Sequence, residues 1–168
     1  MIDAMSRTTP VGLHGREMWA YDESLALVLA EVIRDVEGRS AEHRPTWWPG
    51  VAPDLRFHAA VNDHYVDLDL GLDAGAREEL ARLFTAAADR LLDRRVFTAE
   101  EAAGWKVLDD LPVIFRGRDE VETAPIAELG HALADLIRGT LPSPPPRTWW
   151  YYGAPGGRRT IGMADSAG

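Results

Sequence analysis

The sequence predicts an α+β fold: a mostly antiparallel sheet, centred on a hairpin at about 55–70, packed against three to four helices. Three observations carry this. Apolar residues recur at three and four over 22–37, 74–94 and 124–138, which is the helical period. They alternate over 55–70, which is the period of half-buried strands. The elements run helix, hairpin, helices, strand, helix, hairpin, and so lack the regular alternation that builds a parallel sheet. The 168 residues are expected to form one domain, with 1–15 and 164–168 as disordered tails.

The first helix, 22–37, takes Asp22 as its cap. Leu25, Val28, Leu29, Val32, Ile33 and Val36 form its apolar stripe, and Gly38 stops it. Residues 40–54 read as a loop, because Pro45, Pro49, Gly50 and Pro53 interrupt any period. A turn at Asn62-Asp63 would then set His58 opposite Asp67 and Arg56 opposite Asp69. The same register sends Leu55, Phe57, Ala59, Val66, Leu68 and Leu70 to the other face. The helix at 74–94 is capped by Asp73 and buries Leu80, Leu83, Phe84, Ala87 and Leu91. Thr98 and Glu101 have capping-box spacing and open a short helix through Trp105 or a few residues beyond. A strand is expected at 111–116, with Pro112 near its start. The last helix, 124–138, is capped by Thr123, carries Ile126, Leu129, Leu133, Leu136 and Ile137 inward, and ends at Gly139. Pro142 and the run Pro144, Pro145, Pro146 make a stiff spacer over 142–146, and 148–152 with 158–163 suit a terminal hairpin.

Composition narrows the function classes. The formal charge is -9, from 18 basic and 27 acidic side chains, which argues against nucleic acid as a partner. Cysteine is absent, so disulfides, thiolate zinc sites and thiol catalysis are excluded. No apolar run approaches the roughly twenty residues of a membrane span, and the first residues lack a signal-like apolar stretch; no membrane partner and a cytoplasmic location are expected. Every basic residue is arginine except Lys106, as GC-rich bacterial coding produces.

The chemical motifs are short and local. Asp67, Asp69 and Asp73 resemble a hard-cation string, but Asp73 is better used as a helix cap and the first two as pairs to His58 and Arg56. Glu128 and His131 form half of a di-iron motif whose second copy is absent, with Asp135 one turn on, so a solvated helix face explains them. No metal and no cofactor is implied, since a Walker loop and a dinucleotide fingerprint are both missing. His58, oriented by Asp67 with Tyr65 and Arg56 beside it, is the candidate acid–base group; a surface cross-strand pair is the plainer account of it.

The aromatic residues are the remaining signal, and they read equally as a binding surface or as a lid on a small core. Trp47 and Trp48 sit in a proline-rich stretch, and Trp149, Trp150, Tyr151 and Tyr152 follow the proline spacer. Neighbours on a strand alternate faces, so part of each pair should stay exposed, as at binding hot spots. The resulting expectation is a small acidic protein-binding or inhibitor-type module acting on a basic protein partner through an acidic, Trp/Tyr-rich surface. Small bacterial immunity proteins share that general character, by composition and not by motif. The alternative is a small enzyme or ligand carrier with a small-molecule pocket between hairpin and helices, using His58, Asp67, Tyr65 and Arg56. Neither reading specifies an oligomeric state.

Overall fold

The computed structural model describes residues 8–61, 64–116 and 119–163. The chain enters through two antiparallel strands, β1 (Thr8–Leu13) and β2 (Arg16–Tyr21), paired from Thr8 with Tyr21 to Leu13 with Arg16. The two-residue turn between them, His14-Gly15, has positive φ at both positions (49° and 80°), the twist that a tight hairpin needs. This corrects the disordered tail expected over 1–15: residues 8–15 are a hairpin, while 1–7 and 164–168 lie outside the described residues. The signal is present as alternation, with Thr9, Val11, Leu13, Met18 and Ala20 all buried on one face.

Helix α1 (Asp22–Glu37) follows β2 without a loop. Its N-cap is Tyr21 and not Asp22, which instead sits in the first turn. Nearly every residue from Asp22 to Ile33 is buried, so α1 is the central helix and not a one-faced one.

The largest correction concerns the expected central hairpin. After a short 3-10 turn at Ala41–His43, residues Trp48–Ala60 form helix α2, so the loop at 40–54 and the first hairpin strand are both replaced. The pairs His58–Asp67 and Arg56–Asp69 therefore do not form, and the turn residues Asn62 and Asp63 lie outside the described residues. Leu55, Phe57 and Ala59 do alternate. Yet Trp48, Val51, Ala52, Leu55 and Ala59 are the residues buried, at spacings of three, one, three and four, whereas Phe57 is 36% exposed. Two prolines mask this period. Pro49 lies in the first turn, where no N–H is required, and Pro53 is tolerated inside the helix.

Beyond α2, the two-residue strand β3 (Val66–Asp67) runs parallel to β1. Helix α3 (Ala74–Leu92) is capped by Asp73, whose Oδ1 accepts from the Ala76 N–H at 2.8 Å. Strand β4 (Val96–Thr98) leads into α4 (Ala99–Gly104), where Thr98 Oγ1 accepts from the Glu101 N–H at 3.2 Å, as the capping spacing requires. Strands β5 (Lys106–Leu108) and β6 (Leu111–Pro112) pair antiparallel, so the strand expected over 111–116 is confined to its first two residues. Strand β7 (Glu120–Glu122) pairs with β4. Helix α5 (Thr123–Arg138) ends at Gly139 with φ 75°; its N-cap is Glu122, and the Thr123 hydroxyl donates to the Arg94 carbonyl instead of capping. Strands β8 (Thr148–Tyr152) and β9 (Arg159–Gly162) form the terminal hairpin as expected.

The fold is α+β; the described residues form five helices, a five-stranded sheet and two small antiparallel sheets. The main sheet, ordered β3-β1-β2-β8-β9, is mixed: β3 with β1 and β2 with β8 are parallel pairs, and the others are antiparallel. The C-terminal hairpin thus extends the N-terminal one. Helices α3 and α5 pack closely enough that a Cβ on Gly130 would lie 2.9 Å from Ala88 Cβ. Among the described residues no helix is long and apolar enough to cross a membrane.

Candidate binding site

Because α1 starts where β2 stops, Tyr21, Asp22, Glu23 and Ser24 arrive together at one corner of the sheet. Asp22 and Glu23 are each only 3% exposed. Removing carboxylates from water costs several kcal/mol each, so a partner is required. Arg116, in the stretch between β6 and β7, supplies it. Its Nη2 donates to both Asp22 oxygens at 2.5 and 2.7 Å, and its Nε and backbone N–H reach Glu23 Oε1 at 3.2 and 3.1 Å. Burial pulls the Arg116 pKa down, but the hydrogen bonds and charges of Asp22 and Glu23 outweigh it and hold the group above its ordinary value. The α1 amino terminus favours the same negative charges.

A second tie closes the corner from the other side. Ser24 Oγ donates to the Gly153 carbonyl at 2.6 Å. Gly153 has φ 87°, and a Cβ there would stand 2.8 Å from Ser24 Cβ, so glycine is required on both counts. Between these ties lies a cavity of about 330 Å³. Leu27 and Ile126 provide apolar lining, Glu23, Glu120 and Glu122 bring carboxylates, and Tyr21 forms part of the wall.

Tyr21 also belongs to a second feature. Strand alternation sends Met18, Ala20, Trp150 and Tyr152 to the helix-covered core and turns Trp19, Tyr21 and Tyr151 to the opposite face, where they cluster with Ala154 and Ile161. Trp19 lies beside Tyr151 across the β2–β8 pair, and Trp149 beside Ile161 across the β8–β9 pair. The Arg159 guanidinium lies 5.0 Å from the Tyr151 ring centre. Burial raises the Tyr151 pKa, so its ring carries an uncharged hydroxyl at neutral pH. At the other end of the sheet, Tyr65 approaches Gly12 so closely that a Cβ there would lie 1.9 Å from the Tyr65 hydroxyl oxygen. Among the described residues this outer cluster draws only on the sheet and the β8–β9 turn, and no helix contributes to it.

Comparison with family models, with curated proteins and with solved structures finds no match.

The residues singled out from the sequence fall in several places. Of the C-terminal aromatics, Trp149 and Tyr151 lie on the outer face, whereas Trp150 and Tyr152 pack inward, with Trp150 Nε1 donating to the Pro142 carbonyl at 2.7 Å. Tyr151 and Tyr152 are both buried, against the expectation that part of each pair stays exposed, and only the two tryptophans are half-exposed. The proline spacer is therefore docked at its start. Trp47 and Trp48 lie elsewhere, at the start of α2. Trp48 is buried, and Trp47 is half-buried with Nε1 donating to Glu79 Oε2 at 3.3 Å. The acid–base group is dispersed. Arg56 donates to the Val107 carbonyl at 2.8 Å and pairs with Glu37. His58, on α2, packs edge-on against Phe57. Tyr65 is 48% exposed and hydrogen-bonds Glu17, and Asp67 Oδ1 accepts from the Asp69 N–H at 2.8 Å. With the hairpin gone, the pocket expected between hairpin and helices has no wall. Glu128 and His131 have structural uses: Glu128 Oε1 accepts from the Arg158 N–H at 2.6 Å, and His131 Nε2 is 3.3 Å from Asp89.

The residues that build the corner (Tyr21, Glu23, Ser24, Arg116 and Gly153) form no motif in the sequence. Only Trp19 and Tyr21 leave a signal, as every-other aromatics after a two-residue turn.

Proposed function

We propose that this protein is a binding module that engages a basic protein partner through the outer face of its sheet, with a lysine or arginine side chain of the partner entering the carboxylate-lined cavity. The observation that carries this reading is that Tyr21 belongs at once to the aromatic cluster and to the cavity wall. Tyr21 and Tyr151 are themselves buried, and the half-buried Trp19, Trp149 and Ile161 beside them offer the contact area next to the carboxylates. Aromatic rings bring large contact area at small entropic cost, and carboxylates select the sign of the partner and speed encounter. The net charge of -9 acts in the same direction at long range.

The test uses two defined probes, hexa-arginine amide and hexa-glutamate, followed through the indole N–H resonances of Trp19 and Trp149. The arginine peptide is expected to shift both resonances saturably, with an affinity that falls as salt rises. The double variant E120K/E122K should abolish that shift, and W19A should weaken binding without changing its salt dependence. Indifference of both indoles to hexa-arginine, or an equal response to hexa-glutamate, would overturn the reading.

A further inference from the structure

We propose that a second cavity, between the β1–β2 turn, the start of α3 and the end of α5, binds the phosphate group of a small organic phosphomonoester. The cavity measures about 570 Å³, and Arg16, Arg77 and Arg138 line it together with His14 and one carboxylate, Glu78. In a chain with net charge -9, three guanidinium groups around one opening run against the overall balance.

What matters is which of these charges are already matched. Arg138 is: its Nε and Nη2 reach Glu78 Oε1 at 3.2 and 3.0 Å, and the charge of Asp135 also acts on it. His14 stands 3.7 Å from Asp69. Arg16 and Arg77 form no ion pair among the described residues. Arg16 is nevertheless fixed, because its Nη1 donates to the carbonyls of Gly139 and Leu141 at 3.2 and 3.3 Å. Those bonds occupy two carbonyls just beyond the end of α5, and a neutral acceptor leaves the guanidinium its full positive charge. Two unmatched cations face one cavity.

That arrangement suits a dianion better than a carboxylate. A single arginine satisfies the two oxygens of a carboxylate, whereas a phosphomonoester offers three oxygens and about two charges to two planar forks. The cavity is larger than a phosphate group needs, and the side chains of Leu13 and Ile137 border the remainder. An organic moiety attached to the phosphate would fill it.

The experiment titrates the full chain with glycerol 3-phosphate at constant ionic strength and follows the amide resonances of Arg77 and Gly139. Both should move saturably, and inorganic phosphate should bind more weakly than the ester. R77Q should weaken binding about tenfold or more, the loss expected for one charge-assisted hydrogen-bonding group. R77K, which keeps the charge and loses the fork, should fall between, and it stands in should R77Q fold poorly. Absence of saturation, an equal response to sodium chloride, equal affinity for the ester and for inorganic phosphate, or wild-type binding by R77Q and R77K would each overturn the proposal.

Discussion

Replacing Gly153 with alanine probes the corner of the binding site directly, and its cost divides into two parts. The first is conformational. Gly153 sits at φ 87°, and holding an L-residue on that side costs about 1–2 kcal/mol. The second is steric. The new Cβ would lie 2.8 Å from Ser24 Cβ and 3.1 Å from Leu129 Cδ2, and overpacking of this kind costs about 1–3 kcal/mol. The sum is about 2–5 kcal/mol, a large share of the stability of a domain of this size. Gly156 separates the two parts. It has φ 93°, and a Cβ added there would meet nothing within 4 Å, so G156A should lose only the conformational part, about 1–2 kcal/mol. Urea unfolding of both variants, followed by circular dichroism and tryptophan fluorescence, measures the difference. Equal losses in G153A and G156A would refute the close approach of the β8–β9 turn to α1, and with it the cavity wall that this contact builds.

Three further outcomes follow from the same geometry. R116M leaves Asp22 and Glu23 without their shared guanidinium and should cost about 3 kcal/mol in denaturant titration, the low end for a broken buried pair because Arg116 is 36% exposed; a loss under about 1 kcal/mol would show that the pair is solvated. W48F removes a buried indole N–H that has no hydrogen-bond partner among the described residues, so relief of that group should offset the lost packing and keep stability within about 1 kcal/mol of wild type in the same titration. Burial lowers the His58 pKa below its ordinary 6.5, so the unfolded chain takes up the proton first. Stability should be full above that value and decline as pH falls toward the folded pKa, and H58Q should flatten this part of the pH profile; an unchanged slope would place the titration on another group.

The parts of the fold legible in the sequence are those whose period and punctuation agree. Helices α3 and α5 have unbroken apolar stripes, Asp73 caps the first and Gly139 ends the second, and each lies within a few residues of its expected span. The terminal hairpin is legible because Gly153, Gly156 and Gly157 all take positive φ between two aromatic or β-branched runs. Residues 55–70 mislead because alternation and helical period overlap in a segment so short. Leu55 and Ala59 satisfy both, and the residues that decide between them, Trp48, Val51 and Ala52, lie among prolines that read as loop. The first hairpin is hidden for another reason. Its strands alternate, but its turn, His14-Gly15, holds a non-glycine residue at φ 49° and lacks the Asn-Gly or Asp-Gly pair that most strongly marks such a turn.

The site is legible only in its aromatic half, and the reason is separation along the chain. Trp149 and Tyr151 announce themselves, but Arg116 meets Glu23 across 93 residues and Ser24 meets Gly153 across 129, and no local pattern records such pairings. Those two contacts also explain why two acidic residues are tolerated at the buried start of α1. A buried ion pair is weak as a source of stability, because desolvation offsets most of the attraction and apolar residues would pack there as well. Its consequence here is positional. Arg116 fixes the segment before β7 against α1, and Ser24 fixes the β8–β9 turn against the same helical turn, so the walls of the cavity are set before anything enters it. On the proposed reading, a partner would find the carboxylates and the Tyr21 ring already placed and would lose little of its affinity to ordering them.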